Sequence, residues 1–241
     1  MCSSDLNATL VNATAIDLAA SSVNGDLSVT ATTGGISDSG MTLVTGNAVF
    51  STQQFGQSIF LDLLGVTGTI ALQTAFDGDA TIVNKTGIDF ASSTVGGNLS
   101  ATATTGGITD SGAVTVGGNA DFASLQSDED IILDQLMVSG SISMSTVGAS
   151  GNATLVNATA IDLAASSVNG DLSVTATTGG ISDSGTTLVT GNAVFSTQQF
   201  GQSIFLDLLG VTGTIALQTA VNGDATIVNK TGIDLASSTV G

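Results

Sequence analysis

Proline, histidine, arginine, tryptophan and tyrosine are all missing from this 241-residue chain. Without histidine there is no imidazole base, so a hydrolytic triad of the usual kind is excluded although serines abound. The single cysteine, Cys2, rules out a disulfide framework and a cysteine-built metal site. Cations are almost as scarce: Lys85 and Lys230 stand against 20 acidic residues, for a net charge of −18. That field repels phosphate backbones and anionic headgroups, so neither nucleic acid nor a membrane surface is an expected partner. No run reaches ~18 uninterrupted apolar residues, the length a helical span needs. The longest, Ile59–Leu72, is broken by Asp62, Gly65 and Gly68, so no membrane insertion is expected.

Hydrophobic residues nevertheless reach 42 % while charged residues make up only 9 %, the reverse of a disordered chain. The chain should fold, with a surface built mainly of Ser, Thr, Asn, Gln and Gly.

Its plainest positive feature is repetition. Asn7–Gly96 returns as Asn152–Gly241 with only four changes: Met41 to Thr186, Phe76 to Val221, Asp77 to Asn222 and Phe90 to Leu235. The two copies are offset by 145 residues, and each 145-residue unit is itself a doublet. Ala80-Thr81-Ile82-Val83-Asn84 answers Ala8-Thr9-Leu10-Val11-Asn12, and Thr102–Gly112 answers Thr30–Gly40. A chain that copies itself this closely reads as an array. The units are 7–78, 79–151 and 152–223, with a partial unit at 224–241, and together they form one array over 7–241. Residues 1–6 do not match their counterparts Thr146–Gly151 and read as a non-native leader. Gly241 falls mid-repeat, at the position of Gly96, so the expected object is an internal slice of a longer chain.

Glycine followed by Asp, Asn, Thr or Ser punctuates each unit, as at Gly25-Asp26, Gly46-Asn47, Gly68-Thr69 and Gly97-Asn98. These pairs read as corners, because glycine tolerates positive φ and Asx side chains close turns. Between corners, apolar and small polar residues alternate, as in Ile16/Leu18, Leu27/Val29, Ile59/Leu61 and Ile131/Leu133, which is the strand signature. No window shows helical spacing with caps. The expected fold is all-β, a parallel β-helix (β-solenoid) with about three strands per coil. Eight or nine strands per unit then give about three coils of about 24 residues, and about ten coils stacked at ~4.8 Å make a rod of about 48 Å.

Exchanges between copies sort interior from surface. Leu10/Ile82, Leu18/Phe90, Leu27/Leu99, Ile36/Ile108, Phe50/Phe122 and Leu61/Leu133 keep their apolar character and are assigned to the core, where volume-conserving changes are tolerated best. Phe76/Val221 and Phe90/Leu235 join them on the same ground. Met41, which pairs with Ala113 and Thr186, is assigned to the surface, and Asp77/Asn222 to a corner.

The pattern Gly-Asn/Asp-Leu-Ser-x-Thr-Ala-Thr-Thr-Gly-Gly-Ile-Thr/Ser-Asp-Ser-Gly, followed by a Thr-Val-rich strand and Gly-Asn-Ala, stands at Gly25–Ala48, Gly97–Ala120 and Gly170–Ala193. In it the chain resembles the repeats of filamentous-haemagglutinin-like bacterial exoproteins. That resemblance implies a right-handed shaft, two-partner secretion, a bacterial outer-surface or secreted location, and a role in adhesion or biofilm. Neither a secretion domain nor an Arg-Gly-Asp motif occurs here, so no receptor site can be carried over to any residue. Host or neighbouring cells, glycan or matrix would be met by regions outside the chain.

Candidate chemistry is sparse. Asp17, Asp38 and Asp62 recur as Asp89, Asp110 and Asp134, then as Asp162, Asp183 and Asp207. A catalytic carboxylate pair should be unique, so these read as structural and no enzyme is expected. One dense acidic cluster breaks the repeat: Asp128-Glu129-Asp130, where the earlier copy has Gly56-Gln57-Ser58. It is the one calcium candidate, beside the plainer reading of a charged edge that discourages lateral association. No other cofactor is expected. Seven Asn-x-Ser/Thr triplets (Asn7, Asn12, Asn84, Asn98, Asn152, Asn157 and Asn229) read as products of composition. A carbohydrate-binding or carbohydrate-cleaving β-helix is the alternative to a shaft. Uncapped terminal coils predict end-to-end self-association.

Overall fold

The computed structural model describes residues 6–241; Cys2 and the rest of the expected leader up to Asp5 lie outside them. The described chain winds through about 11 coils between two parallel sheets, of 13 and 15 strands, with no helix. No helix is therefore long and apolar enough to cross a membrane.

Coils stack in register. Ala8 pairs with Leu27, Leu27 with Ala48, and Ala48 with Ile70, all parallel. Parallel strands ordinarily need a long crossover; here the opposite side of the same coil provides it. Alternation decides which side chains go in. In Leu27–Ala31 the residues Leu27, Val29 and Ala31 are buried while Ser28 and Thr30 point outward. Like interior positions then stack along the axis, as in Leu61, Ile82, Ala101, Phe122 and Met144. Leu10, in the first described coil, is 38 % exposed, whereas its repeat-mate Ile82 is fully buried, because Ile82 has a coil on each side.

Each unit does contain nine strands, but not three-sided coils. Short strands such as Ile16–Leu18 and Ser21–Val23 lie in one sheet and together form a single side. Elsewhere that side is one bulged strand, such as Ile59–Val66. Coils hold two or three strands, and corner residues step to the next coil by 19, 21 or 22 positions, shorter than the expected coil.

A 72-residue unit thus contributes seven sides, an odd number, so equivalent strands of successive units fall in opposite sheets. Ala8–Asn12 belongs to the first sheet, Ala80–Asn84 to the second and Ala153–Asn157 to the first again. Leu27, Leu99 and Leu172 are all buried, with Leu99 in the sheet opposite the other two. The array repeats by a half-turn screw, and every feature returns to the same face after seven coils, about 34 Å at the usual strand spacing.

The corners owe their glycines to crowding. Asp26 Oδ1 accepts the N–H of Asn47 from the next coil (2.8 Å), and Asn47 Oδ1 accepts that of Thr69 (2.9 Å). A Cβ on Gly46 would collide with Asp26 Oδ1 and the backbone of Gly25. Positive φ, the expected reason, is found at Gly56, Gly106, Gly148, Gly179 and Gly201 instead. Asp77 and Asn222 do adopt it, at 62° and 64°.

Two core assignments fail: the position Phe76/Val221, and Leu235, which is 58 % exposed in the last coil with a neighbouring coil on one side only. Phe90 is fully buried, its ring edge-on to Phe122 at 6.3 Å, but Phe76 is 71 % exposed and leans on Phe55 at 5.8 Å. Both positions conserve apolar character between copies, so exchange data alone could not separate them.

Candidate functional site

The bulged strand of each unit leaves backbone groups outside the regular ladder, and two side chains from flanking coils supply them. In Ile59–Val66, Asp62 and Leu63 are set against the single residue Val83 of the next coil. Asp38, from the preceding coil, accepts the Asp62 N–H on Oδ1 (3.0 Å) and the Leu63 N–H on Oδ2 (2.9 Å). From the following coil, Asn84 Oδ1 accepts the Val66 N–H (2.8 Å) and Asn84 Nδ2 donates to the Val66 carbonyl (2.9 Å). Asp110 repeats the first clamp on Asp134 and Gln135, and Asp183 on Asp207 and Leu208. Asn157 repeats the second on Val138, and Asn229 on Val211.

Burial, opposed by the two amide bonds, raises the carboxyls of Asp38 and Asp110 above the ordinary value of 3.8, and the carboxylate of Asp62 or Asp134 adds to the rise. Asp38 and Asp62 are neighbours, as catalytic carboxylates must be, yet both oxygens of Asp38 are committed to backbone amides. Asp89, another of the recurrent acids, accepts the Ser111 N–H (2.8 Å). Asn84 and Asn157, counted among the glycosylation-like triplets, are wholly buried.

Asp128-Glu129-Asp130 forms the corner between strands Ala120–Ser127 and Ile131–Val138. Asp128 has φ 66° where the neighbouring units place Gly56 and Gly201, a conformation that Asp tolerates better than most residues. Its Oδ1 accepts the Ser150 N–H (2.9 Å), and Asp130 Oδ1 accepts the N–H of Asn152 (2.8 Å). Glu129 accepts a bond from the Gln126 side chain (3.2 Å). The corner therefore does the same coil-to-coil bonding as its neutral counterparts, in which Ser58 accepts the Asp79 N–H. Among the described residues no three His, Cys, Asp or Glu side chains converge as metal ligands, so the calcium candidate is adjacent in sequence without forming a donor set. The three acids do flank an open groove of about 480 Å³, bounded also by Thr67, Thr86, Asp89 and Ile132. Its acidic walls disfavour an anion.

Sequence reasoning missed the pairing of Asp38 with the bulge. The signal was present as the constant spacing of Asp38 to Asp62, Asp110 to Asp134 and Asp183 to Asp207, a little over one coil.

Two parallel sheets, a continuous core and side-chain bonds from coil to coil define a β-solenoid repeat protein. The family model described as repeats of unknown function (DUF5649) matches residues 5–73, 77–146 and 150–222, so the chain belongs to that family. No curated protein and no solved structure matches the chain.

Proposed function

We propose that this chain is a shaft segment of a large secreted or surface-attached bacterial adhesin, acting in adhesion or biofilm formation. Its work is mechanical: it spaces a binding region from the cell, and host or neighbouring cells, glycan or matrix are engaged by regions outside it. The observation that carries this reading is where the recurrent polar side chains spend their bonds. Asp26, Asp38, Asn47, Asn84 and their repeat-mates are committed to the backbone of the adjacent coil, which stiffens the stack. The acids recur with the repeat, which favours a non-enzymatic role without cofactor. The resemblance to filamentous-haemagglutinin-like repeats supports surface location and two-partner export. The exposed coil at Leu10 supports end-to-end association of the isolated chain.

The test is binding and stretching of the 241-residue chain. A shaft gives no signal on a panel of glycans and matrix proteins, and under force it resists extension and yields in steps of whole coils. The second reading, a carbohydrate-binding β-helix, is favoured only by the groove beside Asp128–Asp130, where the repeat breaks. Glycan binding by the wild type that disappears in the Asp128→Asn, Glu129→Gln, Asp130→Asn triple variant would replace the shaft reading with that one.

A further inference from the structure

The only two cations of the chain lie on the same face, each beside an exposed apolar patch. In the first unit, Met41, Leu43, Phe60 and Leu63 are exposed on the outside of the second sheet; Phe60 is 51 % accessible. Leu43 and Lys85 flank the bare face of Gly65, where a Cβ would strike the Leu43 side chain. Seven coils further on, the same face carries Leu188, Phe205 and Lys230, whose Nζ donates to Thr186 Oγ1 (3.0 Å) across the patch.

The intervening unit, turned by half a revolution, shows its version on the opposite face, and it differs in sign and in shape. In the coil after its bulged strand, Ala158 stands where the two patches of the first face have Lys85 and Lys230. There Ala113, Thr115, Met137 and Val156 line a groove of about 240 Å³ with Asp134 at its wall. The lysine face thus sets a cation near each of its acids, Asp62 and Asp207, beside bulky apolar side chains; the other keeps the equivalent acid, Asp134, with no cation, at the wall of a shallow recess.

We propose that these two unlike faces are complementary, and that the occupant of each is a second copy of this chain. The Phe60–Lys85 patch of one copy seats in the Asp134 groove of the next, with the two arrays staggered by about half of the seven-coil spacing, ~17 Å. Burial of Phe60 and Leu63 supplies the affinity, and the Lys85–Asp134 pair sets the register against the mutual repulsion of two acidic chains. Because the contact is heterologous, a second face remains free on each copy and the association is open-ended, giving lateral bundles of shafts.

Sedimentation velocity over a concentration series tests this, with variants that touch only exposed side chains. The wild type should rise from the 23.5 kDa chain toward multiples of it. The Lys85→Glu, Lys230→Glu variant and the Asp134→Lys variant should each stay at one chain mass, since like charges then meet. An equimolar mixture of the two should associate again, because each variant restores the opposite sign for the other. A wild type that stays monomeric overturns the proposal. So does association that both charge reversals leave intact, which would point to end-to-end contact of the terminal coils. Loss of association without recovery in the mixture overturns the proposed pairing as well.

Discussion

Asn84 pairs with Val66 through its side chain as one strand pairs with another, taking the N–H at 2.8 Å and giving to the carbonyl at 2.9 Å. The same amide nitrogen also reaches the Gly87 carbonyl (2.7 Å) and Thr86 Oγ1 (3.0 Å), so a wholly buried polar side chain is fully employed. Replacing Asn84 by Ala orphans the buried Val66 N–H, worth about 1–3 kcal/mol, and leaves the Val66 carbonyl with Thr86 Oγ1 as its remaining donor. Asn84→Ala is expected to cost about 1–3 kcal/mol in a denaturant titration, and Asn157→Ala a similar amount.

Burial raises Asp38 and Asp110 in the folded chain, so the folded state holds these protons more tightly than the unfolded state does. Their contribution to stability is complete below about 3.8, the ordinary carboxyl value, and is lost as pH rises through the higher folded value. The melting temperature is therefore expected to be higher near pH 4 than near pH 7. Relief of the −18 net charge acts in the same direction, so the informative quantity is a difference. The gain on acidification should shrink in an Asp38→Asn, Asp110→Asn variant, measured by calorimetry at both pH values.

Thr42 and Thr187 bury hydroxyls that have no hydrogen-bond partner, at the position where the middle unit carries Val114. Val114 pairs with Leu136 as Thr42 pairs with Leu64 and Thr187 with Leu209, so the three environments correspond. Thr42→Val and Thr187→Val should each stabilise by about 1 kcal/mol, by removing an unsatisfied polar group at nearly constant volume. Raised midpoints, additive in the double variant, are expected from thermal melts.

Gly191 sits at a corner where the side chain of Asp171 and the backbone of Gly170 leave no room for a Cβ. Gly191→Ala should cost about 1–3 kcal/mol through overpacking. Gly201→Ala faces open space but has φ 72°, so its smaller cost would come from the backbone alone. Comparing unfolding midpoints of the two separates crowding from conformational strain.

The middle unit holds Phe90 where the others have Leu18 and Leu163, and Ala101 where they have Val29 and Val174. Phe90 packs on Phe122, the stacking neighbour of Ala101, so the larger ring and the smaller methyl offset each other. Ala101→Val and Phe90→Leu should each destabilise alone. Together they should cost less than the sum, a coupling that a double-mutant cycle measures directly.

Much of this architecture was legible because alternation is a local property. Whether Leu27, Leu99 or Ile131 points inward depends only on its place in a short strand, and the copies repeated that signal three times over. The direct repeat without helices required parallel stacking of like on like. Phe76 was misplaced because apolar conservation between copies does not distinguish a core position from an exposed aromatic contact with Phe55. The acidic corner was visible as Asp128-Glu129-Asp130, but its bonds to Ser150 and Asn152 join residues a full coil apart, beyond any local pattern.

The sequence by itself determined the strand content, the inward and outward faces of each strand and the length of the repeat. Only the tertiary structure decided that a unit has seven sides, so that equivalent residues alternate between two sheets. The reason is physical: a corner and a mere interruption within one side look alike in sequence. Whether Leu18-Ala19-Ala20-Ser21 turns the chain or lets it run on depends on the coils stacked above and below.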